Sequence, residues 1–183
     1  FDFNNNPNSV LISQFSNGNH KMIAKPFRHD LEEIQIQLKG SANPFIEIAS
    51  KIKNNYNLSA GYYITGDASG WSSKSGLVAG ARNSYDLIRS ALNANDSQIK
   101  TPLSNPRHSA SRSNSNTLIY QHPNFKINKQ KCPQLYKDMM TAIASDKAID
   151  GKGDEIVKDR GMYKNDMLDC WRYQNWTYFD YFD

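Results

Sequence analysis

The chain has 183 residues, 38% hydrophobic, 11% aromatic and 22% charged, which suits one globular domain with a sizeable core and excludes a disordered or fibrous chain. Lys and Arg total 22 against 18 acidic residues, a formal charge of +4 that leans towards a polyanionic partner without requiring one. No apolar run is long enough to cross a bilayer, and the start FDFNNNPNSV lacks a signal-peptide pattern. The two cysteines, Cys132 and Cys170, have no metal-ligand spacing and make no disulfide framework, so free thiols in a reducing compartment are expected.

In chain order, FDF reads as the end of a first strand carrying Asp2, and Ser9 to Ser16, SVLISQFS, as a second. Asn17-Gly18-Asn19 is a turn signal ahead of a third strand over His20 to Arg28, which together predict an antiparallel meander. Asn43-Pro44 predicts an N-cap and a first helical residue, and Phe45, Ile48, Ala49 and Ile52 then recur at helical spacing as far as Asn54-Asn55. A strand over Tyr62 to Thr65 follows and runs into Gly66-Asp67-Ala68-Ser69-Gly70. Strand, strand, strand, helix, strand is the order of a ribonuclease H-like α/β domain, with a mixed central sheet and helices on both faces.

Asn83 to Ala94 predicts a capped helix with Tyr85, Leu87, Ile88, Ala91 and Leu92 on one stripe, and QIKTPLS a short strand after it. Ser104 to Asn116, SNPRHSASRSNSN, is polar and low in complexity and predicts a solvated loop or the start of a polar helix. Phe125 to Lys129 predicts a short strand. A helix from Pro133 would bury Leu135, Met139, Met140 and Ile143, and a last helix spans about Met162 to Phe179. The dense aromatics of that helix, Trp171 and Trp176 among them, predict packing rather than base stacking.

The chemistry sits in carboxylates. Asp67, where the Tyr62 to Thr65 strand runs out into GDASG, is either a turn and cap residue or a group aimed at a cation. Asp166 and Asp169 stand three apart on one helical face, where they are either solvated, or one pairs with Arg172, or they serve a common ligand. In a ribonuclease H-like sheet the first and fourth strands are neighbours, so Asp2 and Asp67 would meet beside a C-terminal helix. Hard oxygen donors in such a group suit Mg2+ or Mn2+, and two such ions can activate a water and stabilise the leaving oxygen of a phosphodiester. His20, His29, His108 and His122 form no nucleophile-base-acid set and read mostly as surface or loop residues. Ser69 lacks the G-x-S-x-G context of a hydrolase nucleophile.

DFNNNP, YITGDASG, INKQKCPQLYKDM and KDRGMYKNDMLDCWRY, in that order and over nearly the whole chain, resemble the C-terminal nuclease domain of phage large terminase subunits. The resemblance implies a metal-dependent endonuclease that cuts concatemeric viral DNA as packaging starts and ends. It implies Asp2, Asp67 and Asp169 as catalytic metal ligands for two divalent ions, Mg2+ or Mn2+, with Asp166 auxiliary where many relatives carry histidine. Cys170 stands in DCWRY where the family pattern has alanine, a replacement a small buried thiol tolerates. Lys74, Arg82, Arg107, Arg112, Lys126 and Lys129 are candidate contacts to double-stranded DNA, by phosphate neutralisation.

The family's ATPase domain carries G-x-x-x-x-G-K-[ST], which DGKGDE at residues 150–155 does not match, so the chain is expected to be a single excised nuclease domain, 1–183, without ATPase activity. The small terminase subunit and the portal are partners implied by the resemblance, as is the cytoplasm of an infected bacterial host. Other ribonuclease H-like enzymes (a resolvase, a transposase-type enzyme or RNase H itself) and a non-enzymatic nucleic-acid-binding domain are the alternatives.

Overall fold

The computed structural model describes residues 1–3, 7–16, 27–37, 43–72, 81–122, 124–142 and 165–181. The fold is α/β. A mixed three-stranded sheet has the order β1 (Asn8–Ser16), β2 (Phe27–Ile36), β3 (Lys126–Ile127). Five α-helices accompany it among the described residues: α1 (Pro44–Asn55), α2 (Ser84–Leu92), α3 (His108–Gln121), α4 (Pro133–Thr141) and α5 (Asp166–Tyr181). The chain divides into two compact units, the first made of Phe1–Val10 and Ile34–Asn105, the second of Leu11–Glu33 and Pro106–Asp183.

In the first unit, short extended segments are joined by pairs of backbone bonds rather than long ladders. Asp2 bridges Ser9 antiparallel, with Asp2 N–H donating to the Ser9 carbonyl at 2.9 Å and Ser9 N–H returning at 3.2 Å. On its other edge the Phe1 nitrogen donates to the Thr65 carbonyl at 2.9 Å and Asp67 N–H donates to the Phe1 carbonyl at 3.0 Å, a parallel pattern that sets Phe1 opposite Gly66. Ile64 in turn bridges Ile99 in parallel. The expected strands at FDF, Tyr62 to Thr65 and QIKTPLS are therefore present as single bridges.

Phe3 lies at the middle of this unit's core, its ring 5.6 Å from Phe45 and 4.8 Å from Tyr85, both edge-on. α1 and α2 supply Ile48, Ile52, Ile88 and Leu92 to the same core. Both helices begin as their sequences require: Asn43 Oδ1 accepts from Phe45 N–H ahead of Pro44, and Asn83 Oδ1 accepts from Asp86 N–H. α2 stops at Asn93, which takes the left-handed conformation at φ 57°.

The two glycines flanking DAS have packing reasons. A Cβ on Gly66 would stand 2.2 Å from the Phe1 carbonyl oxygen, and one on Gly70 2.3 Å from the Phe3 ring. Gly66→Ala must push two paired backbones apart, and we expect it to cost about 1–3 kcal/mol in urea unfolding at unchanged m-value, whereas Gly61→Ala, with open space around it but φ 92°, reports only backbone strain.

The second unit holds the parts of β1 and β2 nearest β3, with β2 and β3 parallel in the register His29 to Lys126 and Asp30 to Ile127. Its apolar cluster joins Leu11, Cys132, Leu135, Met167, Leu168, Cys170 and Trp171. Both cysteines are free and buried, as expected. Burial, with the nearby charge of Asp30 and Glu33, pushes the Cys132 thiol up to about 12, so it is inert at neutral pH.

Several expectations need correction. β2 continues to Ile36, whereas the predicted third strand ended at Arg28, and residues 20–26 of that prediction and its Asn17 to Asn19 turn lie outside the described residues. Of the two readings of the polar stretch from Ser104, the polar helix is the one found, as α3 from His108, with Ser111, Ser115 and Leu118 as a buried stripe at helical spacing. Met140 is 70% exposed instead of buried, Ile143 lies outside the described residues, and His122 is buried edge-on against Tyr178 rather than on the surface. The last helix starts at Asp166 among the described residues, and residues 162–164 lie outside them.

Candidate functional site

The parallel pairing of Phe1 with Gly66 fixes the sides on which their neighbours stand. Side chains alternate along extended backbone, so Asp2 and Asp67, each one residue further on, share the face opposite Phe1 and Gly66. Phe1, Phe3, Ile64 and Gly66 take the core face, and the carboxylates take the other. Asp2 is buried and Asp67 half-buried.

Asp67 is also a cap. It precedes a short 3-10 turn, Ala68–Trp71, and its Oδ1 accepts from Ser69 N–H at 2.7 Å and from Asn105 Nδ2 at 2.7 Å. Asn105 closes the loop by accepting from Ala68 N–H at 2.8 Å, and the Tyr85 hydroxyl donates to the Asp67 carbonyl at 3.1 Å. Of the two readings of TGDASG, the turn and cap is the one found: one carboxylate oxygen orders the turn and fixes the orientation of the group, on the face that Asp2 shares. Asn105 was not among the sequence candidates, and only its position after a Leu-Ser pair in a polar run marked it.

The second unit contains the other acids. Asp166 and Asp169 occupy the first turn of α5 and are both buried. Asp169 pairs with Arg172 three residues on, and Arg172 Nε also donates to Ser111 Oγ of α3 at 2.9 Å. The solvated reading of these acids is overturned, and the pairing reading is found. Asp138 of α4, which the sequence did not single out, is buried beside them: its carboxylate accepts from the backbone N–H groups of Leu168, at 3.3 Å, and Met167. Burial raises the Asp138 carboxyl above its ordinary range, and the negative charge of Asp169 adds to the rise. Its signal was the Leu135-to-Asp138 spacing, which puts an acid on the apolar face of α4.

Of the candidate DNA contacts, Arg82, Arg107, Arg112, Lys126 and Lys129 are all exposed, and Lys74 lies outside the described residues. Arg112 is within α3 and Lys126 within β3. Arg107 occupies the N-cap position of α3 without a side-chain cap, and the Lys129 ammonium lies 4.1 Å above the Tyr136 ring. Trp171, Tyr173 and Tyr178 are buried packing residues, as the aromatic tail predicted.

Among the described residues, no group of three or more His, Cys, Asp or Glu side chains is gathered tightly enough to hold a metal ion. No described helix is long and apolar enough to cross a membrane. No protein-family model, no curated protein and no solved structure matches the chain.

Proposed function

We propose that this chain is a metal-dependent DNA endonuclease of ribonuclease H-like fold, acting as the nuclease domain of a phage terminase does, on concatemeric viral DNA in the cytoplasm of the infected host. One observation carries the reading: Asp2 and Asp67, distant in sequence, stand on hydrogen-bonded neighbouring segments and face the same way. The neighbour order β3, β2, β1, Phe1 to Phe3, Thr65 to Asp67, Ile99 supports it in setting the first-strand and fourth-strand acids side by side, with β3 as an addition beyond β2 that the expected order does not contain.

The donor set fits hard divalent cations: carboxylate oxygens, one of them oriented by Asn105 and Ser69 in the manner of supporting groups around a metal ligand. Asp2 and Asp67 of the first unit would hold a cation; Asp169 and Asp166 of the second unit are metal ligands by the resemblance alone. Bound there, two Mg2+ or Mn2+ ions would supply a water nucleophile and charge neutralisation at the leaving oxygen. The protein's own part is orientation: Ser69 and Asn105 fix the Asp67 carboxylate, and Arg172 fixes that of Asp169. Exposed Arg82, Arg107, Arg112, Lys126 and Lys129, with Lys74, would neutralise phosphates of double-stranded DNA. The ATPase domain, small subunit and portal are the partners this function would require.

A second reading has observations of its own. Asp67 caps a turn and Asp169 pairs with Arg172, which is what purely structural acids in a non-enzymatic nucleic-acid-binding domain would do. Supercoiled plasmid separates the two: the nuclease reading predicts nicked and then linear DNA in Mn2+ or Mg2+ and intact DNA in EDTA, and plasmid left intact in all three supports the second reading. RNA-DNA hybrids and four-way junctions in the same assay separate the other ribonuclease H-like activities.

A further inference from the structure

Two helices of the second unit begin on a carboxylate that comes from a different element. α4 has Cys132 at its N-cap position, which makes no side-chain cap. Its first free N–H groups, those of Gln134 and Leu135, instead donate to the two oxygens of Glu33 on β2, both at 2.8 Å. One turn along α4, Asp138 plays the same part for α5 by accepting from Met167 and Leu168. A single residue connects the two: Gln134 gives its backbone N–H to Glu33 and its side-chain amide to Asp138 Oδ1, at 2.6 Å.

Helix starts leave donors unsatisfied, and an acid placed there satisfies them and suits the helix dipole. Here the acids come from outside the helix they cap, so each bond also fixes where that helix lies. We infer that Glu33, Gln134 and Asp138 form a relay from β2 through α4 to the first turn of α5, and that Asp138 is the positioning residue for Asp169. The second half of this inference rests on the nuclease reading; the relay itself does not.

The test compares the protein with Asp138→Ala and Asp138→Asn by amide hydrogen exchange in NMR and by the Mn2+ concentration that gives half-maximal plasmid nicking. Asparagine keeps an accepting oxygen of the same shape, and alanine keeps none. In Asp138→Ala, exchange at Met167 and Leu168 accelerates roughly fivefold or more while Gln134 and Leu135 are unchanged. The half-saturating Mn2+ concentration rises about tenfold, as for loss of a group supporting a ligand. Asp138→Asn restores both readouts. Should Asp138→Ala not fold, Gln134→Met breaks only the link between the two carboxylates and shifts both readouts the same way by less.

Unaltered exchange at Met167 and Leu168 overturns the relay. Faster exchange with an unchanged Mn2+ requirement overturns the positioning role and leaves a cap that serves stability alone. A wild-type protein that cuts nothing sinks the nuclease reading and with it the role of Asp169, while the exchange data still decide the relay, so the two failures are told apart.

Discussion

Asp67→Asn is expected to abolish the proposed metal-dependent cleavage, down to the level seen in EDTA, and to leave the fold intact. The separation of the two effects follows from how Asp67 is held. Its structural work is done by one oxygen, Oδ1, which accepts from Ser69 N–H and Asn105 Nδ2. Asparagine has an oxygen in the same place and is as good a cap as aspartate, so stability should change by no more than about 0.5 kcal/mol. Its uncharged amide is a poor ligand for a hard dication. Asp67→Ala is the less informative variant, because it removes the cap together with the ligand. Loss of activity with a melting temperature equal to that of the parent supports the metal role. Equal activity in the two proteins returns Asp67 to being a turn residue.

The largest loss of stability is expected from Asp30→Ala. Arg28 and Asp30 are both fully buried on β2 and stand 2.7 Å apart, with the guanidinium between the Phe15 ring at 4.5 Å and the Trp171 ring at 5.0 Å. Burial pulls the guanidinium pKa down and Asp30 pushes it back up. Asp30 Oδ1 also accepts from Ser13 Oγ at 2.6 Å, and Arg28 reaches Asn175 and Gln174 of α5. Removing the acid leaves a buried, uncompensated cation, which costs about 3–5 kcal/mol. In a chain of this size that lowers the melting temperature by on the order of 10 °C or more. The double variant Arg28→Met with Asp30→Leu should recover most of the loss, because desolvation of both charges is removed with their attraction. A single variant within about 1 kcal/mol of the parent would show that the pair is solvated in solution.

That same pair explains why β2 was legible only in part. The inward positions of β2 are Arg28, Asp30, Ile34 and Ile36, so half of the buried face is ionic and the apolar alternation that marks a strand is broken. α3 was obscured in a related way: its buried stripe is serine, and Ser111 and Ser115 are small hydroxyls that receive Arg172 and Asn175 of α5. Where the core is apolar and the caps are ordinary, as in α1 and α2, helix starts and faces were readable from Asn43-Pro44 and Asn83 alone. Asp2 and Asp67 were legible as a pair only through the order of strands, and the register that sets them on one face comes from Gly66 packed against the Phe1 carbonyl. Asp138 was hidden because its partners beyond α4 are backbone N–H groups of a helix far along the chain, and the Leu135-to-Asp138 spacing alone does not tell a capping acid from a surface one.

Whether the Asp2 and Asp67 carboxylates hold divalent cations is decided by thermal unfolding in increasing Mn2+, for the protein and for Asp67→Asn. A ligand that binds only the folded state raises stability with the logarithm of its concentration once above its dissociation constant. The melting temperature is expected to climb with Mn2+ for the protein and to stay flat for Asp67→Asn. A flat response in both, or the same climb in both, would contradict the metal role.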